Sequence, residues 1–263
     1  MWGVARAFGG RVLLRIEDHD RVRSRPEYEQ AILADLEWLG FAADEPCVRQ
    51  RDRETTYAHA LDRLAASDLV YACDCSRKAV EAATGPTEGE RRYPGTCRER
   101  RLDGQVERAR RVRLDPATII FRDLRLGVLQ QHPAEEYGDV LVRDRLGHWT
   151  YQFAVVVDDI DQAVDLVIRG EDLLGSTGRQ IQLARQLGRD RSPRFLHHPL
   201  ITRPDGQKLS KANRDTGVRD LRAAGWTPMR VLGEAAVALG LTNGEPIDLP
   251  GVVARIQRLA PTR

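Results

Sequence analysis

The sequence predicts an α/β fold in which strands alternate with helices around a mostly parallel sheet, interrupted by one irregular insertion. Three observations lead there. Short apolar runs such as Val12–Ile16, Leu69–Cys73 and Val140–Arg143 have the length and composition of buried strands. Longer stretches such as Pro26–Leu39 and Thr177–Leu187 repeat apolar residues at helical spacing. Between Ser76 and Leu102 neither pattern holds, and Gly, Pro, Thr and charge take over.

The elements follow in order. Val12–Ile16 is expected to be a buried strand. Pro26 opens a helix, because its missing N–H is one of those a helix start leaves unpaired; Ser24 or Arg25 sits near the cap. Ile32, Leu33, Leu36 and Leu39 continue that helix and Gly40 ends it. Arg53–Ala66 forms a second helix with Tyr57, Leu61 and Leu64 on one face, followed by the strand Leu69–Cys73. Beyond the insertion, Val112–Leu114, Ile119–Arg122 and Val140–Arg143 are expected strands. A polar turn at Gly147 leads into Trp149–Val157, expected as a buried strand closed by Asp158 and Asp159, with Ala163–Ile168 after it. Thr177–Leu187 is a helix ending at Gly188, Phe195–Thr202 a strand, and Thr227–Leu239 and Pro250–Leu259 are helices. No internal repeat is present.

Composition narrows the class. Of 263 residues, 41% are hydrophobic and 30% charged, as in a soluble globular chain, and the net charge of +2 does not announce a nucleic-acid binder. The arginines cluster, however: Arg91, Arg92, Arg98, Arg100 and Arg101, then Arg108, Arg110, Arg111 and Arg113. Such a stretch is either a phosphate-contacting patch or a solvated face. No apolar run reaches the length of a membrane span, and Met1–Arg15 has no signal-peptide layout, so a cytoplasmic location is expected. Four cysteines in a reducing compartment are then not disulfides.

Two constellations carry chemistry. The chain uses only three lysines among 41 basic residues, and two of them fall in Lys208-Leu209-Ser210-Lys211. A compact ammonium on a flexible stem suits a moving phosphate better than a planar guanidinium does; a solvated surface loop is the alternative. The second constellation is Cys73-Asp74-Cys75 followed by Cys97, three thiols in a segment without a hydrophobic core of its own. Zn²⁺ in a closed tetrahedral site would supply that stability, with Tyr93 the best-placed oxygen for a fourth ligand. Three buried, inert cysteines are the alternative.

With Arg15-Ile16-Glu17-Asp18, Tyr151–Asp159, Ile168-Arg169-Gly170-Glu171-Asp172-Leu173 and Thr177-Gly178-Arg179-Gln180 added, the chain resembles the glutamyl branch of the class I aminoacyl-tRNA synthetases over Arg11–Asn213. Lys208–Lys211 then looks like that family's KMSKS loop. Only 52 residues follow Lys211, too few for the large helical domain of a full glutamyl-tRNA synthetase, so the likeness is strongest to the short paralogues that lack an anticodon-binding domain.

The resemblance implies a Rossmann-like catalytic domain with a zinc-bearing insertion and a short helical C-terminal part. On that plan residues 1–72 and 114–203 form the two parts of the catalytic domain, 73–113 the insertion, and 204–263 the KMSKS loop and helical segment. It implies ATP-dependent activation of L-glutamate, with Mg²⁺ accompanying the ATP, and transfer of glutamate to queuosine in the anticodon of tRNA(Asp). By the same resemblance Glu17 holds the substrate ammonium, Tyr151 contacts bound glutamate, and Arg169 grips the substrate side-chain carboxylate. Lys208 and Lys211 are the catalytic lysines, Lys211 contacting ATP; Cys73, Cys75, Tyr93 and Cys97 ligate zinc. Two other readings remain: a fragment of a standard glutamyl-tRNA synthetase, and a non-catalytic zinc-bearing tRNA-binding paralogue. Trp2–Gly10 looks like the tail of the family's first helix, so its N-terminal strand and HIGH-type loop are expected to be missing before Met1. The chain as given is then expected to adenylate glutamate poorly and to leave a gap in its sheet.

Overall fold

In the computed structural model, which describes residues 1–19, 24–85, 90–103, 107–200 and 217–259, the chain divides into two units: Met1–Arg49 with His198–Arg263, and Gln50–His197. The first unit starts with helix α1 (Trp2–Ala7) and a short strand β1 (Arg15–Ile16). Of the expected strand Val12–Ile16 only these last two residues pair. Val12 is buried, but its N–H donates to the Asp44 carboxylate at 2.7 Å instead of to a neighbouring strand. Helix α2 (Pro26–Trp38) starts at its proline as expected. Its end is closed by Phe41 N–H donating to Leu36 O and Gly40 N–H to Glu37 O, with Gly40 at φ +76°. Strand β2 (Val48–Arg49) pairs in parallel with β1.

The second unit holds α3 (Glu54–Ala66), β3 (Val70–Cys73), α4 (Arg77–Thr84), β4 (Ala109–Val112), β5 (Ile119–Asp123), β6 (Gly127–Gln131), α5 (Pro133–Glu136), β7 (Val140–Arg143), α6 (Tyr151–Asp161), β8 (Leu166–Gly170), α7 (Thr177–Gln186) and β9 (Arg194–His198). Its strands form a three-stranded sheet in the order β3-β4-β7 and a four-stranded sheet in the order β6-β5-β9-β8. Tyr57 and Leu64 of α3, Phe153 and Val156 of α6 and Leu183 of α7 share one core with Val112 and Val142 of the first sheet. Ile119, Phe121 and Phe195 pack with Ile181 of α7 under the second.

Several expectations change. The segment taken as the strand Trp149–Val157 is helix α6. Phe153 through Asp158 are all buried, so neither alternation nor a helical stripe marks them, and the Val155-Val156-Val157 run imitates a strand. Thr150, in extended conformation before Tyr151, is where the helix begins. The insertion is not wholly irregular: Ser76 caps α4 by accepting from Ala79 N–H at 3.1 Å. β4 lies three residues before its expected start, and its central Arg110 and Arg111 disguise it. β6 was missed altogether. Only three residues separate β5 from β6, which forces antiparallel pairing. Parallel pairing joins β1 to β2 and β5 to β9; the pairs β3–β4, β4–β7 and β5–β6 are antiparallel, so the sheets are mixed rather than mostly parallel.

The first unit resumes with α8 (Val218–Ala223), α9 (Pro228–Ala238) and α10 (Leu249–Leu259). Thr227 caps α9 by accepting from Arg230 N–H. Helix α10 packs on α1, where a Cβ on Gly3 would stand 2.9 Å from Ile256 Cδ1. Among the described residues no helix is long and apolar enough to cross a membrane.

Candidate functional site

Arg169 sits one residue before the end of β8, on a strand whose neighbour is β9 and whose next neighbour is β5. That order sets a row of side chains across the sheet. Arg169 Nε donates to His197 Nε2 at 3.1 Å, and His197 Nδ1 lies 2.8 Å from Asp123 Oδ2. Helix α7 supplies the other contacts. Thr177 and Gln180 stand three residues apart, hence on one helix face. Arg169 Nη2 donates to Thr177 Oγ1 at 2.8 Å and Nη1 to Gln180 Oε1 at 2.7 Å. Tyr151, the first residue of α6, adds a side-chain hydrogen bond to the same guanidinium. Phe195 lies under it, 5.7 Å from ring centroid to Cζ.

Among the described residues, every side chain that hydrogen-bonds this half-buried cation is neutral. Among the described residues Arg169 forms no ion pair with a carboxylate. Burial draws its pKa down, while Tyr151 and Asp159 counter that by favouring the cation. Ten residues on, Arg179 behaves differently: it pairs through both terminal nitrogens with the carboxylate of Glu90. Gln180 links the two arginines, donating to Gln152, which donates to Ser176, which also accepts from Arg179. Asp123 is itself fully buried. Burial pushes its carboxyl up, but the N–H groups of Leu126, Arg125 and His197, together with the His197 side chain, outweigh that and hold it below the usual carboxylate range.

The structure thus brings Tyr151 and Arg169 together. Glu17 belongs to the other unit, where it is exposed and accepts from Arg15 at 3.5 Å. Lys208 and Lys211 lie outside the described residues. Asp158, expected to close a strand, is instead buried inside α6 and accepts from Gln50, Arg53 and Tyr57, tying α6 to the start of α3. Asp123 and His197 were not anticipated. Thr177 and Gln180 lay within a noted motif but had no assigned part.

The second cluster is the cysteine group. The Sγ atoms of Cys73, Cys75 and Cys97 all lie within 4.8 Å of one another. Tyr93 Oη is 3.4 Å from Cys73 Sγ and 3.9 Å from Cys75 Sγ, and accepts from Cys97 N–H at 2.9 Å. Strand β3 delivers Cys73 at its last residue. Tyr93 is located by Gly138: at φ +68°, a Cβ there would stand 2.1 Å from Tyr93 O, so no side chain fits. Arg111 of β4 lies 3.6 Å over the Tyr93 ring. Below the cluster, Asp139 accepts from Tyr71 Oη at 2.6 Å and from Leu114 N–H at 2.9 Å.

Burial opposes ionisation of Cys73, but hydrogen bonds from Tyr93, the Cys75 N–H and Arg111 carry its thiol below the ordinary value. Burial pushes Cys75 up to about 11 and raises Tyr93 as well. Three thiols and a phenol facing one point are a donor set that fits a soft-to-borderline divalent cation, whose charge would ionise them. The arginines around this segment are largely internally neutralised: Arg91 pairs with Glu81, Arg98 with Asp139, Arg100 with Asp74 and Arg113 with Glu99.

The fold and these sites define a class I tRNA synthetase catalytic domain, and the chain belongs to that family: it matches "tRNA synthetases class I (E and Q), catalytic domain" over residues 1–246. Among proteins of that family it is 43% identical over 244 residues to the glutamyl-Q tRNA(Asp) synthetase of Pseudomonas fluorescens, covering 89% of this chain and 79% of that protein. It is likewise 43% identical over 256 residues to the glutamyl-Q tRNA(Asp) synthetase of Burkholderia cenocepacia, covering 95% of this chain and 83% of that one. In fold it is similar to the glutamate-tRNA synthetase of Elizabethkingia anophelis, with a TM-score of 0.80 at 24% identity over 96% of this chain. The chain spans 60% of that longer synthetase.

Proposed function

We propose that this chain activates L-glutamate with ATP and passes the glutamyl group to queuosine in the anticodon of tRNA(Asp). The observation that carries the reading is the half-buried Arg169, whose hydrogen-bonding partners among the described residues are all neutral, so that its charge is left for a ligand carboxylate. A guanidinium binds a carboxylate by charge-assisted hydrogen bonding, which selects an amino acid with a second acid group. Tyr151 lies beside it to contact the same ligand. Glu17 takes the substrate ammonium. Relatives at 43% identity that carry the name glutamyl-Q tRNA(Asp) synthetase support the choice of acceptor.

In the activation step an oxygen of the glutamate α-carboxylate attacks the α-phosphorus of ATP. The bond to the bridging oxygen breaks and pyrophosphate leaves with that electron pair. Lys208 and Lys211 balance the charge that develops there, Lys211 contacting the ATP itself, and Mg²⁺ would accompany the ATP. The acyl group then passes to queuosine and AMP departs. Cys73, Cys75, Tyr93 and Cys97 would hold Zn²⁺, and with four protein ligands such an ion would serve to tie the insertion together. Native mass spectrometry with and without chelator checks this; an unchanged mass removes zinc from the account.

The test of the function is transfer of radiolabelled glutamate to tRNA(Asp) with and without queuosine. Label should appear only on the queuosine-containing tRNA. Equal labelling of both, or charging of tRNA(Glu) at its 3′ end, overturns the proposal.

A further inference from the structure

We propose that Asp123 and His197 are positioning residues that aim Arg169 at the substrate carboxylate, an inference that rests on the role given to Arg169 above. Arg169 Nε carries a hydrogen and can only donate, so His197 Nε2, 3.1 Å away, must accept. The remaining imidazole hydrogen is then on Nδ1, where it donates to Asp123 Oδ2 at 2.8 Å. His197 is thus a neutral imidazole of fixed tautomer. Asp123 is fixed in its turn: Oδ2 also accepts from His197 N–H at 2.9 Å, and Oδ1 accepts from Arg125 N–H and Leu126 N–H, each at 2.9 Å. All three side chains stand on adjacent strands of one sheet, in the order β5, β9, β8.

The arrangement solves a problem that a direct ion pair would create. A carboxylate in the place of His197 would hold the guanidinium but neutralise it. An imidazole holds the Nε–Nη2 edge, together with Thr177 Oγ1, and leaves the net charge intact. Five N–H donors minus the three used by His197, Thr177 and Gln180 leave donors on Nη1 and Nη2 for a ligand and Tyr151. Asp123, one residue further off, makes His197 Nε2 a better acceptor and forbids the other tautomer.

The experiment is L-glutamate binding by calorimetry to the full chain and its variants, with ATP binding and thermal unfolding as controls. In Asp123→Asn the amide N–H₂ faces His197 Nδ1 and drives the imidazole to the Nε2–H tautomer, setting two donors against each other at Arg169. Glutamate affinity should fall about tenfold to a hundredfold, with ATP affinity unchanged. His197→Asn keeps a donor toward Asp123 but loses the acceptor for Arg169, and should lose as much. His197→Gln restores an acceptor at the reach of Nε2 and should recover most of the affinity lost in His197→Asn. ¹⁵N NMR of the unaltered protein should find His197 neutral with its proton on Nδ1. A proton on Nε2 instead overturns the inference whether or not any variant folds, as does equal affinity of His197→Asn and His197→Gln. Arg169→Gln separates the two levels. If it binds glutamate as the parent does, the role of Arg169 falls. If it fails to bind while Asp123→Asn and His197→Asn bind normally, only the positioning role falls.

Discussion

Two buried charge centres in the Gln50–His197 unit use the same side-chain types to opposite ends. At the first, Arg53 meets Asp158 directly, Nε to Oδ1 at 2.7 Å, and Gln50 and Tyr57 complete the carboxylate. At the second, an imidazole stands between Asp123 and Arg169. Direct contact cancels charge and fastens α3 to α6. Interposition keeps the charge and fixes only its direction. A half-buried arginine therefore signals a structural tie or a ligand site according to what its nearest acceptor is, a distinction invisible in exposure alone.

This comparison can be broken in three places. The largest effect is expected from Asp158→Ala, which removes the buried carboxylate that accepts from Gln50, Arg53 and Tyr57. Removing one partner of a buried pair costs about 3–5 kcal/mol. Urea unfolding should show that loss, with glutamate affinity per folded molecule unmoved; a variant as stable as the parent would dissolve the contrast. Next comes Arg169→Gln. Here the stability loss should be smaller, about 1–3 kcal/mol, since the acceptors left unpaired are the neutral His197, Thr177 and Gln180, while glutamate affinity drops about tenfold to a hundredfold. A large stability loss without an affinity loss would make Arg169 a structural tie like Arg53.

The smallest effect is in the acid limb. The folded-state pKa of Asp123 is depressed, so its contribution is fully present above the unfolded carboxylate value of about 3.9 and is lost as pH falls toward the folded value. The parent should therefore lose stability between about pH 5 and pH 2 more steeply than Asp123→Asn. Parallel curves by urea midpoint would show that the hydrogen bonds to Asp123 do not favour its charged form.

Much of the helical framework was legible because its signals are local. Pro26 and Gly40 bound α2, Thr227 and Pro228 open α9, and Gly188 follows α7 at φ +86°. The cysteine cluster was legible for a related reason: its members span 25 residues of sequence, and thiols that close together in a polar stretch limit the alternatives. Arg169 and Tyr151 were proposed through likeness to a family, not through any pattern of their own. The relay was not legible at all. His197 lies 74 residues from Asp123 and 28 from Arg169, and strand order alone makes them neighbours. β6 escaped because its exposed Val128 is apolar and its half-buried Gln131 polar, and β4 because Arg110 and Arg111 occupy its centre.

The amino-acid order by itself settled where α2, α7 and α9 begin or end, which thiols can share one point, and that a synthetase-like set of motifs is present, because caps, turns and spacing act over a few residues. Only the tertiary structure decided that Tyr151–Asp161 is a helix, since complete burial erases the periodicity that would announce it. It alone decided that Arg169 keeps its charge, since that depends on which strand lies next to β8, and strand order is fixed by packing across the whole sheet.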